Sequence, residues 1–129
     1  MSKKHNRAKK KGFTLIELLV VMGIVGVLAL AVTPTMISKV DEAKQKTDVS
    51  NASSIAMAVK TEIIEGNLAP SGEITGNALT QLANKYFDGN LPTSQSEESD
   101  FIVTVNNNVI KITTANKSEF YPKYVPAQK

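Results

Sequence analysis

The sequence predicts an α+β protein in which a long N-terminal α-helix, apolar in its first half and amphipathic in its second, packs against a small C-terminal domain. Three observations support this prediction. Residues 13–37 form an apolar run, apolar residues continue at helical spacing to residue 66, and two β-branched runs flank Asn106 to Asn108. The small domain is expected to hold a short helix and an antiparallel β-hairpin or small sheet. The 129 residues suffice for one modest domain of this kind.

Residues 1–12 form a basic leader. They contain six Lys and Arg residues and no acid, whereas the rest of the chain contains nine basic and twelve acidic side chains, a net charge of −3. The net charge of the whole chain, +3, therefore belongs to the leader. It is weak evidence for nucleic-acid binding, which we do not expect. A basic run beside an apolar run is instead the pattern that keeps an N-terminus in the cytoplasm.

The residue types exclude several kinds of chemistry. The chain has no cysteine, which excludes disulfides, thiolate zinc sites and a cysteine nucleophile. Its one histidine, His5, lies in the leader, so no His-based triad or metal cluster is available to the body of the protein. Glu97, Glu98 and Asp100 cluster in sequence, but their spacing matches no calcium-binding loop and indicates a solvated acidic loop. We therefore expect no enzymatic activity, no cofactor and no metal site.

The apolar run is long enough to cross a membrane only if it includes Glu17. Its uninterrupted part, Leu18 to Val32, has 15 residues. That length gives about 22 Å of helix, against a hydrocarbon core of about 30 Å. A helix that runs from Phe13 to Val32 reaches about 30 Å. Glu17 must then lie inside the membrane or at its edge.

Three residues weaken this helix. Gly23 and Gly26 lower the helix propensity by about 1 kcal/mol each. Pro34 removes one backbone hydrogen bond and typically produces a kink. The segment 23–34 is therefore predicted to be the weakest part of the helix. It is either a kinked membrane segment or a segment that stretches or melts when the protein packs into an assembly.

The amphipathic half of the same helix follows at residues 38–66. Apolar residues such as Ile55, Val59 and Ile63 recur at steps of three and four, and Gly66 is a suitable C-cap. No residue within this half breaks a helix. The two halves are therefore predicted to form one helix about 80 Å long.

The C-terminal domain is predicted over residues 67–129. Residues 67–74 indicate a loop. The stretch "TGNALTQLANKYFDG" that follows indicates a short helix, capped by Thr75 or Asn77 and ended by Gly89. The side chains of this helix that are expected to face the core are Leu79, Leu82, Tyr86 and Phe87.

The strongest β signal of the chain is the stretch "DFIVTVNNNVIKITT". Phe101, Val103 and Val105 fall on one face of its first strand, and Ile110 and Ile112 on one face of its second. The preceding "PTSQSEES" indicates a polar connector, and the tail "EFYPKYVPAQK" a short edge strand or an ordered coil. Because a hairpin is not stable alone, we expect a sheet of two to four strands packed on the long helix.

Three explanations compete for a carboxylate in the apolar run. A secretory signal peptide with an A-x-A pattern, cut after Ala31, fits the leader. Such a peptide does not need Glu17, whose insertion at a helix centre costs about 2.5–3.5 kcal/mol. A plain membrane anchor fits if Glu17 is tolerated at the interface or protonated. In the third explanation, Glu17 receives a partner that is supplied later.

Residues 12–34, "GFTLIELLVVMGIVGVLALAVTP", preceded by the basic leader, resemble the N-terminus of type IV pilins and of the related pseudopilins of type II secretion and DNA-uptake systems. The resemblance implies that a prepilin peptidase cuts between Gly12 and Phe13 and methylates the new amino group of Phe13. It also implies that Glu17 pairs with the Phe13 ammonium of a neighbouring subunit during assembly. The chain departs from many family members because it lacks cysteines for a C-terminal disulfide loop and has a short domain.

The resemblance further implies a function. The chain is expected to be the structural subunit of a type IV pilus, used for adhesion, twitching motility or DNA uptake, with a pseudopilin of a type II secretion or competence system as the alternative. The expected partners are other copies of the chain in a helical filament, prepilin peptidase, an assembly platform with its ATPase, and lipids of the cytoplasmic membrane. Before assembly the chain would span that membrane once, with its N-terminus in the cytoplasm; afterwards it would lie in a surface pilus.

Overall fold

The computed structural model describes residues 12–128 of the chain, and the α+β prediction is confirmed. The predicted leader lies outside the described residues, except for Gly12. The chain divides into two compact units, Met1–Ser38 and Lys39–Lys129. The elements in chain order are α1 (Leu15–Ile64), β1 (Gly72–Ile74), α2 (Asn77–Tyr86), β2 (Phe101–Asn106), β3 (Val109–Thr114) and β4 (Glu119–Tyr121).

The described part of the first unit consists of the apolar half of α1 and the residues before it. Each residue from Gly12 to Ser38 is exposed in the single copy. Among residues 12–128, α1 is the one helix long and apolar enough to cross a membrane. The hydroxyl groups here are satisfied within the helix, since Thr33 Oγ1 donates to the Ala29 carbonyl at 2.8 Å and Thr35 Oγ1 to the Val32 carbonyl at 2.8 Å. This segment can therefore enter an apolar environment without an unpaired hydroxyl.

The helix runs through Pro34 without interruption. The proline ring still removes one backbone donor, but the neighbouring residues keep helical geometry on both sides. Stretching or melting of the segment 23–34 on assembly stays a prediction.

The second unit holds a four-stranded antiparallel sheet in the order β1-β2-β3-β4. The central hairpin pairs Phe101 with Thr114 and Val105 with Ile110. Its turn consists of Asn107 and Asn108, both at positive φ (48° and 66°). A two-residue hairpin turn needs positive φ at both positions, and asparagine tolerates it. The hairpin and the predicted strand count are thus confirmed.

The core lies between the inner face of the sheet and the amphipathic half of α1. The predicted inward-facing residues of the hairpin are all buried, and they form one cluster with Ile55 and Val59 of α1. Phe120 of β4 completes the cluster, with its ring centroid 5.6 Å from that of Phe101 and 5.2 Å from that of Tyr124. The aromatic residues of the tail therefore serve packing.

One predicted helix end, that of α1, is confirmed, and the predicted N-cap of α2 is corrected. The predicted stop of α1 is confirmed, because Gly66 has φ 79° and the Asn67 N–H donates to the Glu62 carbonyl at 2.9 Å. At the start of α2, however, the N-cap is Gly76, and no side chain donates or accepts a capping hydrogen bond. Thr75 and Asn77 were wrong predictions. Glycine reaches its cap conformation here at φ 57°, which a side chain would strain.

The predicted loop 67–74 contains a strand. Gly72 to Ile74 form β1, which pairs with Val105 to Val103 of β2. A three-residue strand has no local periodicity, and its pairing partner lies about thirty residues away in sequence, so composition alone indicated a loop. In α2, Leu82 is buried and Leu79 and Phe87 are partly buried, as predicted, but Tyr86 is 37% exposed.

The predicted polar connector is bound to a buried carboxylate of α1. Asp48 of α1 is fully buried and accepts hydrogen bonds from the Ser94 hydroxyl at 2.8 Å, the Gln95 N–H at 2.7 Å and the Ser96 N–H at 2.9 Å. The Ser96 hydroxyl donates a fourth bond. Glu97 accepts from the Thr114 hydroxyl. Of the three acids predicted to form a solvated loop, Glu98 and Asp100 are exposed and Glu97 is partly buried.

A second polar cluster joins α1 to α2. Glu62 accepts from the Lys85 ammonium at 2.5 Å, the Tyr86 hydroxyl at 2.7 Å and the Asn67 amide at 2.9 Å. These bonds, with that of Lys85 first, lower the pKa of Glu62 from its ordinary 4.5 to about 2. Lys85 also pairs with Glu65 at 3.0 Å, and its hydrogen bonds to Glu62 and Glu65 raise the pKa of its ammonium group.

This cluster makes the second unit sensitive to acid. Because the folded pKa of Glu62 is lowered, its contribution to stability is present above about pH 4.5 and is lost as the pH falls toward 2. We expect the free energy of unfolding to decrease over that window, and to decrease less in Glu62→Gln. Denaturant unfolding at pH 7, 4.5 and 3 measures this. An identical pH dependence in the wild type and in Glu62→Gln would contradict the assignment.

Candidate functional site

The start of α1 is a reciprocal cap formed by Thr14 and Glu17. The Thr14 N–H donates to Glu17 Oε2 at 2.8 Å, and the Glu17 N–H donates to Thr14 Oγ1 at 3.3 Å. Thr14 is thus the N-cap residue and Glu17 the third helical residue, the arrangement known as a capping box. The helix begins at Leu15 instead of Phe13 because the cap residue itself is not helical.

The cap gives the Glu17 carboxylate a partner inside its own chain. A carboxylate near a helix N-terminus is stabilised by the backbone N–H groups that lack intrahelical acceptors. Its two oxygens have room for about four hydrogen bonds, so the bond from Thr14 leaves room for a further donor. The cap therefore reduces the free-energy cost of placing Glu17 at a membrane edge. The carboxylate can still pair with a cation.

The two residues of the predicted cleavage site lie outside the helix. Phe13 is 90% exposed, and Gly12 is exposed, with no atom of the described residues other than its chain neighbours within 4 Å of the position that a Cβ would take. The bond between them therefore lies in an exposed segment outside the helix, directly before the cap. Glu17 lies four positions after Phe13 in sequence, but Phe13 is not one helical turn from it, because α1 starts only at Leu15.

The three residues predicted to weaken the helix do not lie beside the cap. Gly23, Gly26 and Pro34 are all within α1, and 17 residues of helix, about 26 Å, separate Pro34 from Glu17. Gly23 lines a shallow groove of about 360 Å³ on the helix surface together with Val20 and Val27. The predicted processing and assembly residues thus cluster at the helix start, and the flexibility residues form a separate set.

Thr14 was missed as a functional residue. The signal was present in the stretch "FTLIE", where Thr14 precedes Glu17 by three residues, the sequence pattern of a capping box before an apolar run. The roles predicted for Gly12, Phe13 and Glu17 in processing and assembly stay predictions. Among residues 12–128, no group of three or more Asp, Glu or His side chains is placed to hold a metal ion.

Comparisons with known proteins identify the same segment. A family model described as the prokaryotic N-terminal methylation motif matches residues 7–33. The chain is 37% identical over 65 residues to "Prepilin peptidase-dependent protein A" of Clostridium perfringens. The aligned segment covers 50% of this chain and 46% of that protein. It is 32% identical over 93 residues to "Type II secretion system core protein G" of Pectobacterium carotovorum, covering 72% of this chain and 54% of that protein.

A third relative, "Type II secretion system core protein G" of Pseudomonas aeruginosa, is 37% identical over 65 residues, covering 50% of this chain and 46% of that protein. The chain therefore spans about half the length of the curated relatives it matches. No solved structure matches the chain significantly.

Proposed function

We propose that the chain is a member of the type IV pilin and pseudopilin family and, on that premise, the structural, non-catalytic subunit of a membrane-anchored helical filament. The observation that carries the proposal is the N-terminal methylation motif over residues 7–33, which contains the open Gly12–Phe13 bond and the capped Glu17. The exposed apolar half of α1 supports it, since such a surface needs lipid or other helices as its surroundings.

Processing comes first in the proposed sequence of events. The basic leader holds the N-terminus on the cytoplasmic side, where prepilin peptidase hydrolyses the Gly12–Phe13 bond and methylates the new Phe13 amino group. The open segment before the cap supports this step, because a peptidase must bind its substrate backbone in an extended form. Removal of six positive charges also lets the helix starts approach each other in a filament.

Pairing between copies follows. The new Phe13 ammonium of one copy binds the Glu17 carboxylate of the next, while the Thr14 N–H keeps the carboxylate oriented at the helix start. A charge pair at 4 Å is worth on the order of 4 kcal/mol at an effective dielectric of 20, before desolvation. This is comparable with the cost of about 2.5–3.5 kcal/mol for inserting one charge. Pairing therefore favours copies that join in register.

The first test is the chemical identity of the mature N-terminus. We expect mass spectrometry of protein purified from its native membrane to find N-methylated Phe13 as the first residue. A chain that begins at Val32 would instead indicate a secretory signal peptide cut after Ala31. An intact leader would indicate a plain membrane anchor, and either result would overturn the proposal.

Two filament types remain as candidates. A surface type IV pilus agrees with the N-terminal segment. A pseudopilus of a type II secretion system is favoured by one observation, the similarity to core protein G of Pectobacterium carotovorum over 93 residues, which extends well beyond the methylation motif. We therefore place the pseudopilus first. Deletion of the gene distinguishes the two, since loss of secretion without loss of surface fibres supports the pseudopilus, and loss of fibres supports the pilus.

A further inference from the structure

A groove lies between the end of α1 and the side of α2, within the second unit. Its volume is about 590 Å³, inside the range of roughly 300–1,000 Å³ that is common for small-molecule sites. The end of α1 and the turn after it contribute Glu62, Asn67 and Leu68, and α2 contributes side chains such as Gln81 and Asn84. We call this cavity the amide groove, because three of these side chains are amides.

The floor of the amide groove combines a buried carboxylate with an apolar side chain. Glu62 is 8% exposed and Leu82 2% exposed, and both line the groove. The Glu62 carboxylate accepts three hydrogen bonds, from Lys85, Tyr86 and the Asn67 amide. Because a carboxylate has room for about four, it can accept a further donor. The three bonds also hold the carboxylate in one orientation, so this part of the groove is formed before a ligand enters.

The walls of the amide groove supply further donors and acceptors. The Asn67 Nδ2 group is bound to carboxylates, which leaves its carbonyl oxygen as an acceptor. Gln81 and Asn84 are exposed, and their amide groups have no hydrogen-bond partner in the described part of the chain. The Lys85 ammonium donates two of its three protons, to two glutamates. The third proton is available to a ligand.

This mixture of groups favours a ligand that donates and accepts at the same atom. A hydroxyl group does so, since it has one proton and two lone pairs. The apolar side chains of Leu68, Ala78 and Leu82 lie among the polar groups, so the ligand also needs an apolar side. The ring of a saccharide has both properties, with hydroxyl groups around its edge and C–H groups on its faces.

The charges at the amide groove favour an uncharged ligand. The two carboxylates of Glu62 and Glu65 and the one ammonium of Lys85 give a net charge of −1. An anionic ligand would therefore be repelled. A cationic ligand would have to compete with Lys85, whose ammonium already binds the two carboxylates at 2.5 and 3.0 Å.

A peptide fits the amide groove less well than a saccharide. An extended peptide adds a strand to a sheet edge, and a helical peptide lays its apolar face into an apolar groove. The lining of this groove comes from the two helices and the turn after α1. Helix backbone groups are paired within the helix, so the lining offers no sheet edge. Its amide and charged side chains also interrupt the apolar surface that a peptide helix needs.

We propose that the amide groove is a binding site for an uncharged saccharide, held by hydrogen bonds to Gln81 and Asn84 and to the Glu62–Lys85 pair at the floor. The groove lies within one copy of the chain. The inference therefore goes beyond the filament role proposed above and does not depend on it, so a chain that forms no filament can still bind the saccharide.

Saccharide binding is tested with the full chain in micelles of a detergent without a sugar head group. The probes are an array of uncharged and anionic oligosaccharides, and neutral polysaccharide extracted from the envelope of the producing cells. We expect an uncharged probe to bind. Binding of the extracted polysaccharide alone assigns the ligand to the cell's own envelope, and binding of array members alone assigns it to another surface. Binding of anionic probes alone, or of none, overturns the inference.

Substitutions show whether the saccharide binds in the amide groove. We expect Gln81→Ala combined with Asn84→Ala to reduce the affinity at least tenfold, because two exposed amides are lost while the floor is kept. The control is Asn106→Ala, which removes an exposed amide from β2 and should leave the affinity within twofold. An unchanged affinity of the double variant would place the saccharide elsewhere and overturn the inference.

Nuclear magnetic resonance of the unsubstituted chain gives a second readout that needs no substitution. We expect the side-chain amide signals of Gln81 and Asn84 to shift when the bound saccharide is added, and the signal of Asn106 to stay in place. A shift of the Gln81 and Asn84 signals with a mixture of random peptides, and none with any saccharide, would assign the groove to a peptide and overturn the inference.

Discussion

Glu17→Ala is expected to give a subunit that is processed and held in the membrane but is absent from filaments when no wild-type copy is present. The substitution removes the acceptor that we propose for the Phe13 ammonium of the neighbouring copy. A lost pairing free energy of about 3 kcal/mol corresponds to a decrease of about two orders of magnitude in incorporation. The measurement is the amount of subunit in sheared filaments relative to the amount in the membrane.

Glu17→Gln separates pairing from capping. Glutamine can still accept the Thr14 N–H bond of the capping box, but it carries no charge. If pairing is the essential role, Glu17→Gln fails like Glu17→Ala, whereas Thr14→Ala weakens the helix start by about 1 kcal/mol and reduces assembly much less. Glu42→Ala, which removes an exposed carboxylate from the same helix, is the matched control. Normal filaments from Glu17→Gln would show that only the cap matters.

Asp48→Ala is expected to lower the free energy of unfolding of the second unit by about 3 kcal/mol, the largest stability effect of a single polar residue here. The substitution leaves the Gln95 and Ser96 N–H groups without the acceptor that holds the connector on α1. Denaturant unfolding of the full chain in detergent, followed by near-ultraviolet circular dichroism, measures it. The control is Asp41→Ala, an exposed acid on the same helix, with a change within about 0.5 kcal/mol.

The pH dependence gives an independent check on Asp48. Burial by itself raises the pKa of its carboxyl, but the hydrogen bonds from Ser96, the Gln95 N–H and Ser94 outweigh burial and hold the pKa below its ordinary 3.8. The contribution of Asp48 to stability is therefore present above about pH 3.8 and is lost as the pH falls through its lower folded value. If Asp48→Ala unfolds with the wild-type free energy at pH 7, the connector is not held by this carboxylate.

Elements with a local signature were predictable from the sequence. The long helix and its stop at Gly66 follow from apolar spacing and a capping glycine, since each residue interacts mainly with neighbours three and four positions away. The hairpin follows from alternation around a two-residue asparagine turn for the same reason. The methylation motif is also local, because it lies in a short contiguous segment. The cap between Thr14 and Glu17 could be recognised from residues 13–17 alone.

Elements that depend on distant partners were not predictable. The strand β1 exists because β2, about thirty residues further along, supplies its hydrogen bonds. The connector around Ser96 looked solvated because its acceptor, Asp48, lies 48 residues earlier in the chain. Likewise, a helix with apolar residues on several sides does not reveal which side the domain will cover.

The sequence by itself determined that this chain carries an N-terminal methylation motif and a helix long and apolar enough to cross a membrane, because each property resides in contiguous residues. Only the tertiary structure decided that Asp48 anchors the connector and that Met57 and Ile64 of α1 stay exposed. Both facts depend on where the sheet packs on the helix, and packing is set by the shapes and free energies of residues far apart in the chain.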